Sequence, residues 1–142
     1  MSTIQMLNAI AQKLNITVEV DVDFCTVKNC AGACIRGESL TIKLASLDDE
    51  RVYAHELVHA FQYVQEDFFW QEDDLEFWGM LEDVPLDETY MKGFPAYWEA
   101  IVHRKMYTAE KRRWEYLPMY VQHASNGMQV FWRIAKTVLA SR

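Results

Sequence analysis

The chain has 142 residues, of which 51% are hydrophobic and 13% aromatic, and its formal net charge is −7. That length fits one domain able to build its own core without disulfide support. The acid excess argues against nonspecific nucleic-acid binding through the whole surface, and no apolar run reaches the ~20 residues that a membrane helix needs.

The first residues, Met1 to Asn8, lack a basic stretch followed by a long apolar one. A secretory leader is therefore not expected, and the expected location is cytoplasmic. From Ser2 to Leu14, apolar residues fall at Ile4, Leu7, Ala11 and Leu14, with Met6 and Ile10 alongside. This spacing predicts a helix that ends at Asn15. Thr17 to Asp23 alternates β-branched and acidic residues, which predicts a half-buried strand. Phe24 to Cys34 reads as irregular, with turns at Asn29 and Gly32, and Ala33 to Arg36 as a short strand. Gly37-Glu38-Ser39 is a turn signal, and Leu40 to Leu44 alternates again as a hairpin partner. Cys25, Cys30 and Cys34 make an odd count, which argues against a disulfide framework and for free thiols.

Ser46 and Asp49 form a capping-box pattern that predicts a helix from about Leu47 to Gln65. It carries His55-Glu56-Leu57-Val58-His59. Residues four apart on a helix share one face, so the two imidazoles can hold one metal ion from the same side. Glu56 stands about 100° round the helix from His55. It is placed to serve a water molecule as general base rather than to join the histidines as a ligand. Val52, Leu57, Val58, Phe61 and Val64 spread apolar character round the helix, which predicts that it is buried. Buried imidazoles and a buried carboxylate need partners.

Glu66 to Glu88 holds ten acidic residues and no Lys or Arg, interrupted by Phe68, Phe69, Trp70, Phe77 and Trp78. This predicts loops with one short helix near Asp74 to Leu81, either docked by its aromatics or forming an acidic wall or lid that favours basic substrates. Phe94-Pro95 opens a further helix, with Ala96, Glu99, Ala100 and His103 on one face. A glutamate on the inner face of such a helix calls for an ionic partner or a metal. Arg104, Lys105, Lys111, Arg112 and Arg113 read as a solvated basic face. Pro118 interrupts the pattern, Ser125-Asn126-Gly127 signals a turn, and Gln129 to Ala140 predicts a final helix.

His55-Glu56-Leu57-Val58-His59, with a hairpin strand before it and an inward glutamate after it, resembles the zincin metallopeptidases, and among them the gluzincins. The likeness is strong over those five residues and loose over Ser39 to Met106. It implies an α+β domain spanning 1–142, with a small sheet of about three strands, an N-terminal helix, the motif helix, a glutamate helix and a C-terminal helix. It implies Zn2+ held by His55, His59 and Glu99, and Glu56 as general base in peptide-bond hydrolysis. The strand Leu40 to Leu44 would then form the edge of the cleft. The partner would be a peptide or protein substrate, possibly basic, with no nucleic-acid or membrane partner. Thermolysin-like members carry an aspartate one turn after the glutamate ligand; here that position is His103, the second choice for third ligand. The oxyanion donor is open among His103, Tyr107, Tyr120 and His123, whereas Tyr63 reads as structural. Gln62 and Gln65 stand where the metzincin pattern needs glycine and histidine. The alternative reading is a zincin-like binding or regulatory protein with little or no catalysis.

Overall fold

The computed structural model describes residues 1–65, 109–124 and 126–141. Among these, five helices surround a small mixed sheet, an α+β arrangement. In chain order they are α1 (Thr3–Lys13), β1 (Thr17–Val20), α2 (Val22–Lys28), β2 (Gly32–Arg36), β3 (Leu40–Leu44), α3 (Glu50–Val64), α4 (Ala109–His123) and α5 (Gly127–Ala140). The expected acidic segment, the glutamate helix with Glu99 and His103, and Tyr107 lie outside the described residues.

Local chemistry sets the boundaries. Helix α1 starts in a capping box, in which Ser2 Oγ accepts from the Gln5 N–H and the Gln5 side chain accepts from the Ser2 N–H. It stops before Asn15, which takes a left-handed φ of 58°. The alternating stretch from Thr17 is a strand only to Val20, and Val20 is 51% exposed. Its expected extension to Asp23 fails because Asp21 accepts from the Phe24 N–H at 3.0 Å and caps a helix instead. The stretch from Phe24, expected to be irregular, is therefore largely α2, closed by Asn29 at φ 53°. Asp21 also accepts from Lys43 Nζ at 2.8 Å, which pins the head of α2 to β3.

The sheet order is β1-β3-β2, with β1 parallel and β2 antiparallel to β3. The β2–β3 hairpin has the expected strands, with Arg36 opposite Leu40 and Gly32 opposite Leu44. Leu40–Leu44 was expected at the cleft edge. It is instead the central strand, because β1 pairs along its other side, and β2 is the edge strand beside α3.

Helix α3 begins at Glu50, later than expected, because Asp49 is its cap and accepts from the Arg51 and Val52 N–H groups at 3.2 Å each. Ser46 Oγ serves the local turn by accepting from the Asp48 N–H. As its apolar circumference predicts, α3 is buried, with Tyr53, Leu57, Val58 and Phe61 inaccessible. Each such side chain contributes about 1.5–3 kcal/mol by leaving water. Phe61 stacks on Phe131 of α5 at 5.8 Å, and the Tyr53 hydroxyl donates to Asn8 Oδ1 of α1 at 2.7 Å. Helix α4 runs through Pro118 to His123, so the proline does not end it. Leu117, Tyr120, Val121 and Ala124 face the core at helical spacing. Arg51 Nη1 donates to the Gln122 and Ala124 carbonyls at 3.2 and 2.6 Å, securing the end of α4 on α3. Among the described residues, no helix is long and apolar enough to cross a membrane.

Candidate metal centre

His55 and His59 sit one turn apart on α3, with ring centroids 5.1 Å apart. Where α4 crosses this face it brings Glu115 to both rings. His59 Nε2 lies 3.3 Å from Glu115 Oε1, and His55 Nε2 lies 3.5 Å from Glu115 Oε2. One ligand atom from each of the three residues falls within 4.8 Å of the others, so the cluster could hold a metal ion. Four-coordinate ions with bonds of ~2.1 Å place their donor atoms ~3.4 Å apart, close to each of the two histidine–Glu115 separations, which run to different Glu115 oxygens. Glu56 stands beside this triad without joining it, with Oε1 3.8 Å from His55 Nε2.

The site is dry. Glu56 is 5% exposed and His59 6%. His55 Nδ1 and Glu56 Oε2 are buried with no hydrogen-bond partner among the described residues, an expensive arrangement unless something further enters the site. Burial pushes the Glu56 carboxyl above its ordinary pKa; His55 and His59 pull it down by less, and the Glu115 charge adds to the rise. For His59, burial works toward a lower pKa but loses to Glu115, so the net shift is upward. For Glu115, burial works upward but loses to the hydrogen bonds from His55 and His59, so its carboxyl is held well below the usual range. The two directions agree. Without a cation, a proton on His59 balances the Glu115 charge, and a divalent cation can take that proton's place.

Strand β2 forms one wall. A Cβ built on Gly32 would stand 3.2 Å from Glu56 Cγ and 3.2 Å from Val52 Cγ1, a tight fit that would make these side chains give by a few tenths of an ångström. Cys34 and Arg36 follow on the same face by strand alternation. Burial, then the Glu56 charge, pushes the Cys34 thiol up to about 12, and Arg36 lies over the Tyr63 ring at 5.4 Å. Trp114 forms another wall, stacked on His59 at 5.6 Å and packed on Tyr63 at 5.0 Å.

Of the residues expected at the site, His55, Glu56 and His59 come together here, and Glu99 and His103 lie outside the described residues. Tyr120, expected as a possible oxyanion donor, is engaged elsewhere in the fold. It is 2% exposed, and its hydroxyl donates to Asn126 Oδ1 at 2.8 Å. His123 ends α4 within electrostatic reach of His55. Tyr63, expected to be structural, lies within electrostatic reach of Glu115 and Glu56. Sequence reading missed Glu115, since Pro118 masked its helix; the stripe of Leu117, Tyr120, Val121 and Ala124 was the available signal. All three cysteines are free. Cys25 and Cys30 line a separate, open surface depression of about 510 Å3 along α2. Compared with models of protein families, with curated proteins and with solved structures, the chain finds no match.

Proposed function

We propose that the protein is a zinc-dependent peptidase of zincin type, with His55, His59 and Glu115 holding the ion and Glu56 acting as general base. The observation that carries this reading is the triad itself: two imidazole Nε2 atoms and one carboxylate, with a second carboxylate alongside whose Oε2 has no partner among the described residues. Two histidines and one carboxylate suit zinc and leave a coordination position open. A bound Zn2+ would supply Lewis acidity, lowering the pKa of water to about 7 and polarising a carbonyl.

The chain's own residues do the rest. Glu56, raised in pKa by burial, accepts a proton from the attacking water and delivers it to the leaving amine. The dry walls strengthen charge interactions at the reacting carbonyl. Tyr63 and His123, which carry donors and lie within electrostatic reach of the centre, are the candidates to serve the developing oxyanion. Strand β2 supports a way to hold the substrate. The Ala45 N–H donates to the Ala31 carbonyl at 2.9 Å, so Ala31, Ala33 and Ile35 turn their peptide groups toward β3. Gly32 and Cys34 turn theirs away, and among the described residues no strand pairs with them. An extended peptide can add there and run past Glu56.

The experiment is cleavage of unstructured peptides, basic ones included, by the purified protein supplied with Zn2+. Cleavage that disappears with a chelator and with Glu56→Ala supports the reading. Zinc uptake without cleavage of any peptide would leave a zinc-holding binding protein in its place.

A further inference from the structure

We infer that Gln62 is the positioning residue of this centre, holding His59 in its metal-binding tautomer by bridging it to the Trp114 backbone carbonyl, whose usual helical N–H Pro118 does not supply. The inference rests on the metal-centre reading above and names the device that orients it.

A helical carbonyl normally accepts from the N–H four residues ahead. For Trp114 that residue is Pro118, which has no N–H, so the Trp114 carbonyl cannot make its usual helical bond within α4. Gln62 Nε2 donates to it at 2.9 Å. A carbonyl can only accept, so the amide orientation follows: Nε2 faces Trp114 and Oε1 faces His59, at 2.9 Å from Nδ1. Because Oε1 can only accept, His59 Nδ1 must carry a proton. In the neutral ring, the lone pair is then on Nε2, the atom 3.3 Å from Glu115.

The same bond fixes the other half of the centre. Trp114 immediately precedes Glu115, so the tie from α3 to the Trp114 carbonyl also sets where Glu115 meets the histidines. Gln62 is 1% exposed, and no bulk water competes for either bond. The Trp114 carbonyl thus provides the acceptor that joins a histidine ligand to its carboxylate partner. His55 has no such support among the described residues, since its Nδ1 is without a partner. Orientation of the pair depends on the His59 side.

The test compares Gln62→Leu, which removes both bonds, with Gln62→Glu, which keeps an acceptor for His59 Nδ1–H. Zn2+ affinity is read by chelator competition and ligand geometry by the absorption spectrum of the Co2+-loaded protein. Gln62→Leu is expected to lose ~10–100-fold in affinity with an altered Co2+ spectrum, and Gln62→Glu, which keeps an acceptor for the His59 ring N–H but gives up the bond to the Trp114 carbonyl, to lose clearly less than Gln62→Leu. Parental affinity and spectrum in Gln62→Leu, or an equal loss in both variants, would overturn the inference. If the variants fail to fold, NMR of the metal-free parent decides. A slowly exchanging, downfield His59 Nδ1 proton supports the role, and an unprotonated Nδ1 refutes it. A parent that shows this proton yet takes up no Zn2+ would sink the metal reading alone.

Discussion

Glu56→Gln should make the metal-free protein more stable while removing its hydrolytic power. Glu56 is 5% exposed, its Oε2 has no partner among the described residues, and burial is the largest influence on its raised pKa. An unsatisfied buried polar atom costs about 1–3 kcal/mol, more when charged. The sign follows from proton binding. In the unfolded chain Glu56 ionises near its ordinary value of about 4.3. In the native protein it ionises at higher pH, so stability falls as pH rises from the first value through the second. The penalty is complete above the native pKa, and glutamine never incurs it. Urea unfolding in the presence of a chelator, for parent and variant at pH 5 and pH 8, measures the effect. The variant should be more stable by about 1–3 kcal/mol at pH 8, with a smaller gap at pH 5. Peptide cleavage by the zinc-loaded variant should fall by about 10²–10⁴. A variant equal to or less stable than the parent at pH 8 would refute the view of Glu56 as a carboxylate held in place at the expense of stability.

Two other perturbations probe the frame and the charge balance. Gly127→Ala puts a Cβ against the Val121 carbonyl at a separation no real Cβ adopts, with the Tyr120 carbonyl oxygen at 2.9 Å. Backbone at the α4–α5 corner must then move, and urea unfolding should show a loss of about 1–3 kcal/mol or more. Zn2+ affinity should weaken as pH falls, starting above the ordinary histidine range, because Glu115 outweighs burial and raises the His59 pKa. The ion must displace that proton, so chelator competition between pH 6 and pH 9 should show the decline. Without metal the same pair acts in the other direction. The raised His59 stabilises fully below its unfolded value of about 6.5 and loses this as pH rises through its native pKa. The lowered Glu115 stabilises fully above about 4.3 and loses this as pH falls.

The parts of the fold that follow from local chemistry could be read in the sequence. The apolar spacing of α1, the alternation of β3, the turn at Gly37 to Ser39 and the all-round burial of α3 depend on residues near one another. The errors came where one side chain chose between two local structures. Asp21 fits the alternation of a strand, yet its carboxylate caps α2 and binds Lys43, a choice settled by β3. At the site, His55, Glu56 and His59 were visible because helical periodicity alone places them together. Glu115 was not, since its role depends on how α4 crosses α3, and that crossing is set by long-range contacts such as Arg51 to the Ala124 carbonyl. Pro118 read as a break in the helix. In the fold α4 runs through it, and the carbonyl four residues before it accepts from Gln62, a contact visible only when both helices are in place.

The most direct test of the central claim is zinc stoichiometry and affinity in the parent, Glu115→Ala and Glu99→Ala proteins, each checked for native secondary structure. The parent should hold one equivalent of zinc, Glu115→Ala should lose it or bind far more weakly, and Glu99→Ala should keep it. Full retention by Glu115→Ala, with loss in Glu99→Ala, would contradict the assignment of Glu115 as the third ligand. A parent that takes up no zinc would contradict the metal centre itself.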